Sequence, residues 1–106
     1  MVFIPMFTDP CFSQDIVLDS VPYRLRFYWN TRGNFWAVDF YDRDLNLLVA
    51  GIKIVNDYEL LFNHPDRGLP PGQLLVIDYR GIGFEIAFED FTNENCDLVY
   101  IEAVAA

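Results

Sequence analysis

The chain has 106 residues, enough for one domain spanning 1–106 and too few for two. Its formal net charge of −9, from 16 acidic against 7 basic side chains, speaks against nucleic-acid backbone binding and against docking on an anionic membrane surface. Fully 53% of residues are hydrophobic and 17% aromatic, with ten Phe, six Tyr and two Trp.

A buried aromatic side chain removes about 150–250 Å² from water, worth about 2–3 kcal/mol. A chain this short buries roughly 65% of the surface that its unfolded form exposes. So much aromatic area is hard to enclose in one small core, and the expected place for a surplus is a protein–protein interface. The scattered carboxylates read as a solubilising surface. Cys11 and Cys96 are the only cysteines and have no metal-ligand spacing. A bridge between them stays open from spacing alone. The opening MVFIPMF has neither the basic stretch nor the long apolar core of a signal peptide, and no apolar run approaches the length of a membrane span. The expectation is a chain made in a reducing cytoplasm, with free thiols.

Residues 1–12 read as an extended arm: Pro5 and Pro10 interrupt regular structure, and Phe3, Ile4, Met6, Phe7 and Phe12 are apolar. Such an arm either straps the chain's own core or docks on a neighbouring subunit. Gln14–Leu18 is a short strand ending at Asp19-Ser20. Val21–Trp29 is a second strand, with Tyr23, Leu25, Phe27 and Trp29 on one face and Arg24, Arg26 and Tyr28 on the other. After the turn cluster Asn30–Asn34, Phe35–Asp42 is a third strand with Trp36, Val38 and Phe40 on one side.

Register follows from the period of two, because a one-residue slip would bring Asp39 beside Leu25 in the core. The pairing that avoids this sets Trp29 opposite Trp36, Phe27 opposite Val38 and Leu25 opposite Phe40. It also sets Arg26 opposite Asp39 on the other face, a pair worth about 0.2–1 kcal/mol. On that basis, exchanging the two residues leaves stability nearly unchanged.

Beyond the Asp42–Asn46 turn, Leu47–Ile54 is a fourth strand with Leu48, Ala50, Ile52 and Ile54 inward. That leaves Phe35, Tyr41, Leu47 and Val49 on a second apolar face, which needs cover of its own. Asn56 or Asp57 caps a short helical turn through Phe62. Asn63–Gly72, rich in Pro and Gly, is a loop. Gln73–Tyr79 is a nearly continuous apolar strand. Phe84, Ile86 and Phe88 alternate with Glu85, Ala87 and Glu89 as a half-buried sixth strand, and Asp97–Glu102 is the seventh. Residues 103–106 read as a tail. The fold class is therefore all-β: a small antiparallel sandwich or barrel of about seven strands.

Few constellations suggest chemistry. Asp42, Asp44 and Asn46 begin like a calcium loop, but Leu47 stands where Gly is needed and Lys53 where Glu is needed, so a turn is expected. His64, the single histidine, has no evident triad around it. Gly81 and Gly83 are followed by no helix that could cradle a phosphate. Glu85 and Glu89 lie on the polar side of their segment, with Asp90 next to them. Arg24, Arg26 and Tyr28 could hold a polyanion or stack a base, but pairing with carboxylates fits a chain of this charge better. No catalytic residue, metal ligand or cofactor is expected.

The ordered motifs Tyr23-Arg24-Leu25-Arg26-Phe27-Tyr28-Trp29-Asn30, Gly33, Trp36 and Val38-Asp39-Phe40-Tyr41-Asp42 resemble the signature hairpin of a phage family. Leu48-Val49-Ala50-Gly51-Ile52, Leu69-Pro70-Pro71-Gly72-Gln73-Leu74 and Leu98-Val99-Tyr100-Ile101 match its later strands. The chain is thereby similar, over nearly its whole length, to the baseplate plug proteins of contractile-tailed cyanophages. It departs between Tyr79 and Asn95, where the family tends to a polar loop rich in Asp and Pro and this chain has the apolar Ile82–Phe91. The resemblance implies a non-enzymatic virion protein of the tail baseplate, near the junction of tube, hub and spike, assembled in the host cytoplasm. The implied partners are hub, spike, tube or wedge proteins and copies of the chain itself, with no direct nucleic-acid binding and no membrane insertion. Phe3, Phe7, Tyr28, Phe35, Tyr41 and Phe91 are the candidate interface residues. The alternative function is a small β-module that binds a ligand or takes a peptide strand at a sheet edge.

Overall fold

The computed structural model describes residues 2–56, 59–61, 68–81 and 85–103. Seven strands form among the described residues: β1 Val2–Ile4, β2 Cys11–Leu18, β3 Val21–Asn30, β4 Phe35–Asp42, β5 Leu47–Lys53, β6 Gln73–Asp78 and β7 Cys96–Ile101. Every pairing is antiparallel. They make a four-stranded sheet of order β2-β3-β4-β5 and a three-stranded sheet of order β1-β7-β6, a sandwich rather than a closed barrel.

The register of β3 with β4 matches the expected one. Trp29 faces Trp36, Phe27 faces Val38, Leu25 faces Phe40 and Arg26 faces Asp39. Leu25, Phe27, Val38 and Phe40 are wholly buried against Leu74, Leu98 and Tyr100 of the other sheet. Turn chemistry fixes the hairpins. Asp19 and Ser20 both take positive φ, 52° and 66°, which lets a two-residue turn join β2 to β3. The Asn30 side chain accepts the backbone N–H groups of Arg32 and Gly33, at 3.0 and 2.9 Å, and so holds the turn into β4.

Three expectations are corrected. First, the arm is not wholly irregular: Val2–Ile4 pairs with β7, and Cys11–Phe12 opens β2. Without β1, one edge of β7 would offer unpaired backbone groups. The arm straps its own chain. Gln14 Nε2 donates to Pro5 O at 2.8 Å, Trp29 N donates to Pro10 O at 2.8 Å, and Phe7 packs edge-on against Phe12.

Second, residues 85–89 form no strand. The β6 edge on which such a strand would pair is met instead by Leu60 N, which donates to Leu74 O at 2.8 Å. The alternation still reports burial correctly: Ile86 is buried and Phe88 half-buried, while Glu85, Ala87 and Glu89 are exposed. Phe88 stacks on Trp36 and accepts its indole N–H at 3.2 Å, closing one end of the sandwich.

Third, β5 does not alternate strictly. Val49 lies opposite Phe40 and is buried, and Ile52 lies opposite Val38, so β5 spends three steps where β4 spends two. Gly51 absorbs this bulge with φ +74°, a region that costs other residues strain. Val49 thus leaves the second face and Ala50 is exposed rather than inward.

No helix occurs among the described residues. Of the expected helical turn, Leu60 and Leu61 lie in a turn, and residues 57, 58 and 62 fall outside the described set. The tail expected at 103–106 is described only at Ala103. The two sheets are tied together at Tyr100. Its buried hydroxyl donates to Asp19 Oδ2 at the β2–β3 turn and accepts Gly72 N at 2.6 Å.

Candidate functional site

The face of the four-stranded sheet turned away from the core is built from the outward positions of β2 to β5. β3 contributes Arg24, Arg26 and Tyr28, and β4 contributes Phe35, Ala37, Asp39 and Tyr41. Lys53 of β5 sits opposite Ala37, and Leu47 sits opposite Tyr41. Arg26 lies over the Tyr28 ring at 5.2 Å, and Lys53 lies over the Phe35 ring at 4.9 Å. Stacking keeps each cation at the surface on an aromatic floor, an arrangement worth about 0.5–1 kcal/mol where exposed.

Beneath this layer Asp39 is 6% exposed. Its Oδ2 meets Arg26 Nη1 at 3.3 Å, and its Oδ1 accepts Gly51 N at 2.7 Å. One carboxylate therefore holds the bulge and anchors the guanidinium above it. At the side, Arg24 grips Asp15 of β2 with two bonds, 2.7 and 3.1 Å, which hold the Asp15 carboxyl below its usual range.

Of the six expected interface residues, the structure brings Tyr28, Phe35 and Tyr41 together on this face, all half-buried. Phe3 and Phe7 are on the arm, 56% and 48% exposed. Phe91 is corrected: it is 8% exposed and belongs to the core cluster, because the 85–95 loop folds inward. Its edge reaches a shallow groove beside β1, lined by Phe3, Met6, Phe91, Glu94, Asp97 and Leu98. Sequence reading missed Lys53 and the groove carboxylates. Outward alternation from Ile52 and Ile54 signals Lys53. No sequence pattern signals Glu94 or Asp97, which reach the arm only through the β1–β7 pairing.

The surplus of aromatics is smaller than composition suggests. Among the described residues only Phe3, Phe7 and Tyr79 are exposed aromatics. The other large exposed apolar side chains, Val17, Val21, Leu45, Leu47 and Ile101, are scattered, with Val17 on β2 and Leu47 on β5 lying on the outer face described above.

The remaining polar clusters hold the fold. Asp42 Oδ1 accepts Asp44 N and Asn46 N, both at 2.9 Å, so the calcium-like run is a self-capped turn. The bonds from Asn46 hold the Asp42 carboxyl below its usual range. Arg80 bonds Asp78 through Nε at 3.0 Å and Nη2 at 2.7 Å, and reaches Asp90 through Nη1 at 3.2 Å. The Arg80 bonds push Asp78 well below the carboxylate range. Asp90 also accepts Ala87 N at 2.6 Å and Asn95 Nδ2 at 3.1 Å, which pins the 85–95 loop. With its oxygens so occupied, Asp90 is a staple for that loop rather than half of an acid–base pair.

Cys11 is exposed on β2 and Cys96 buried in β7, both as free thiols. Burial, with Asp78 and Asp90 nearby, pushes the Cys96 thiol up to about 12. His64 and Gly83 lie outside the described residues. Among the described residues, no group of His, Cys, Asp or Glu is arranged to hold a metal ion. No helix among them is long and apolar enough to cross a membrane.

Comparison with curated proteins found no match. A family model described as cyanophage baseplate Pam3 plug gp18 matches residues 1–103. That match runs from β1 through the end of β7, so it takes in the outer face, the arm and the 85–95 loop alike. The chain belongs to the cyanophage baseplate plug family and is a structural component of the phage tail baseplate.

Proposed function

We propose that this plug protein works by docking rather than by catalysis, presenting the outer face of β3–β5 and the arm to neighbouring baseplate proteins at the junction of tube, hub and spike of a contractile tail. The observation that carries this reading is the outer face itself, where Tyr28, Phe35 and Tyr41 stand beside Arg26 and Lys53. Tyr and Arg are among the residues enriched where proteins bind one another. Phe3 and Phe7 add exposed rings on the arm. Assembly takes place in the host cytoplasm before release, with hub, spike, tube or wedge proteins as the neighbours. The acidic remainder of the surface repels the phosphates of exiting DNA, so the protein does not hold nucleic acid.

The test is a phage carrying Tyr28→Ser together with Phe35→Ser. Purified variant protein keeps its β-sheet circular dichroism, while purified virions lose the plug by quantitative mass spectrometry. Normal incorporation of a folded variant would refute docking through this face.

A further inference from the structure

The sheets end in edges of different kinds. On β5 the bulge interrupts the edge, and Gly51 N is already held by Asp39 Oδ1. On β6, Leu60 N reaches Leu74 O. β1 is three residues long. β2 is eight residues long and pairs with β3 without a break. Trp29 N donates to Pro10 O at 2.8 Å, which fixes the phase of that ladder. Hydrogen-bonded pairs alternate along an antiparallel ladder, so Phe12, Gln14, Ile16 and Leu18 turn their backbone groups toward β3. Cys11, Ser13, Asp15 and Val17 turn theirs outward, where no backbone group among the described residues meets them. These residues are exposed. The arm meets side chains of β2 instead, with Phe7 against Phe12 and Pro5 O accepting from Gln14. Charged side chains often guard such edges, but Asp15, the one charge on β2, is drawn back onto β3 by its two bonds to Arg24.

We propose that β2 is a strand-addition site: an extended segment of a different polypeptide pairs along residues 11–17 and lengthens the four-stranded sheet. This contact goes beyond the outer face of β3–β5 and does not depend on it. Outward N–H and C=O groups recur at every second residue, about 6.8 Å apart, a spacing that an extended peptide matches and a compact ligand does not. The side chains of β2 set what the segment carries. Phe12 and Ile16 are half-buried at the margin of the core, so incoming residues on their side are apolar. Incoming residues on the opposite side lie beside Asp15 and exposed Val17, where neutral or basic side chains fit. A second β2 suits this edge poorly, since each copy carries −9 and brings its own Asp15.

Proline replacement along β2 tests the proposal. Ser13→Pro and Val17→Pro each remove an outward N–H and leave the bonds to β3 in place, so the purified variants keep their β-sheet circular dichroism, whereas Gln14→Pro breaks the ladder. In purified virions, quantitative mass spectrometry of either outward variant shows plug copies reduced by about tenfold, because the ring removes a ladder donor and blocks the edge. Ser13→Val, close to proline in size but with its N–H, is incorporated several-fold better than Ser13→Pro. Normal incorporation of the folded proline variants, or equal loss in Ser13→Val and Ser13→Pro, would overturn the proposal. Unfolding of both outward variants would place their N–H groups inside the fold and overturn it too. A wild-type dimer in sedimentation velocity that Ser13→Pro abolishes would give the edge to a second copy and overturn the choice of partner. If Tyr28→Ser with Phe35→Ser empties the virion of plug while Ser13→Pro does not, docking through the outer face stands and strand addition alone falls.

Discussion

Replacing Asp39 by Ala separates two roles of one buried carboxylate. The side chain accepts Gly51 N at 2.7 Å and meets Arg26 at 3.3 Å. A hydrogen bond to a charged acceptor contributes about 1.5–3 kcal/mol. The ion pair contributes less, because the Arg26 side chain is 45% exposed, and such pairs give about 0–1 kcal/mol after solvent screening. Asp39→Ala should therefore lose about 2–3 kcal/mol, and Arg26→Ala about 1 kcal/mol or less. At about 4–8 °C per kcal/mol for a domain near this size, Asp39→Ala lowers Tm by about 8–24 °C. Urea denaturation of both single variants and of the exchanged pair, Arg26→Asp with Asp39→Arg, measures the difference. Exchange preserves the opposite charges but removes the acceptor for Gly51 N, so the exchanged protein should stay close to Asp39→Ala. This corrects the near-neutral outcome expected from cross-strand pairing alone. Equal losses in the two single variants, or full recovery on exchange, would refute the bulge-holding role.

Gly72→Ala should destabilise by about 1–3 kcal/mol, as overpacking does, because a Cβ there would stand 2.1 Å from Ile101 O and 2.6 Å from the Tyr100 hydroxyl. An unchanged urea midpoint would show that this approach relaxes without cost. The Cys96 thiol titrates near 9.0 when free and is pushed up to about 12 in the fold by burial, then by Asp78 and Asp90. Above the free value the unfolded chain binds fewer protons at this site than the folded one, so stability is full below pH 9 and falls as pH rises toward 12. Cys96→Ala should flatten part of that alkaline loss. Thiol labelling at neutral pH should modify Cys11 at once and Cys96 only after unfolding, and rapid labelling of both would contradict the burial.

Legibility differed sharply between hairpin and loop. The β3–β4 register could be read residue by residue, because side-chain direction has a fixed period and Asp39 tolerates only one face. The turns at Asn30 and Asp42 could be read because their polar side chains bond their own backbone within a few residues. The Val49 position could not, because a bulge adds one residue to one strand only and leaves both composition and apolarity unchanged. Residues 85–89 showed a true alternation of burial, yet whether such a segment pairs depends on a free edge elsewhere. Of the candidate docking residues, Tyr28, Phe35 and Tyr41 followed from period two. Phe91 did not, because its burial comes from a loop pinned by Arg80 and Asp90.

Local chemistry alone was thus enough for the class of the fold, the first hairpins, the facing of Arg26 and Asp39 and the family resemblance, since each depends on neighbours close along the chain or on ordered motifs. Long-range packing decided that the arm becomes β1, that Tyr100 joins the two sheets through Asp19 and Gly72, and that the groove beside β1 carries Glu94 and Asp97. Those contacts join positions 81 residues apart in the case of Tyr100 and Asp19. No periodicity reaches so far; only the packing of one sheet on the other brings such residues together.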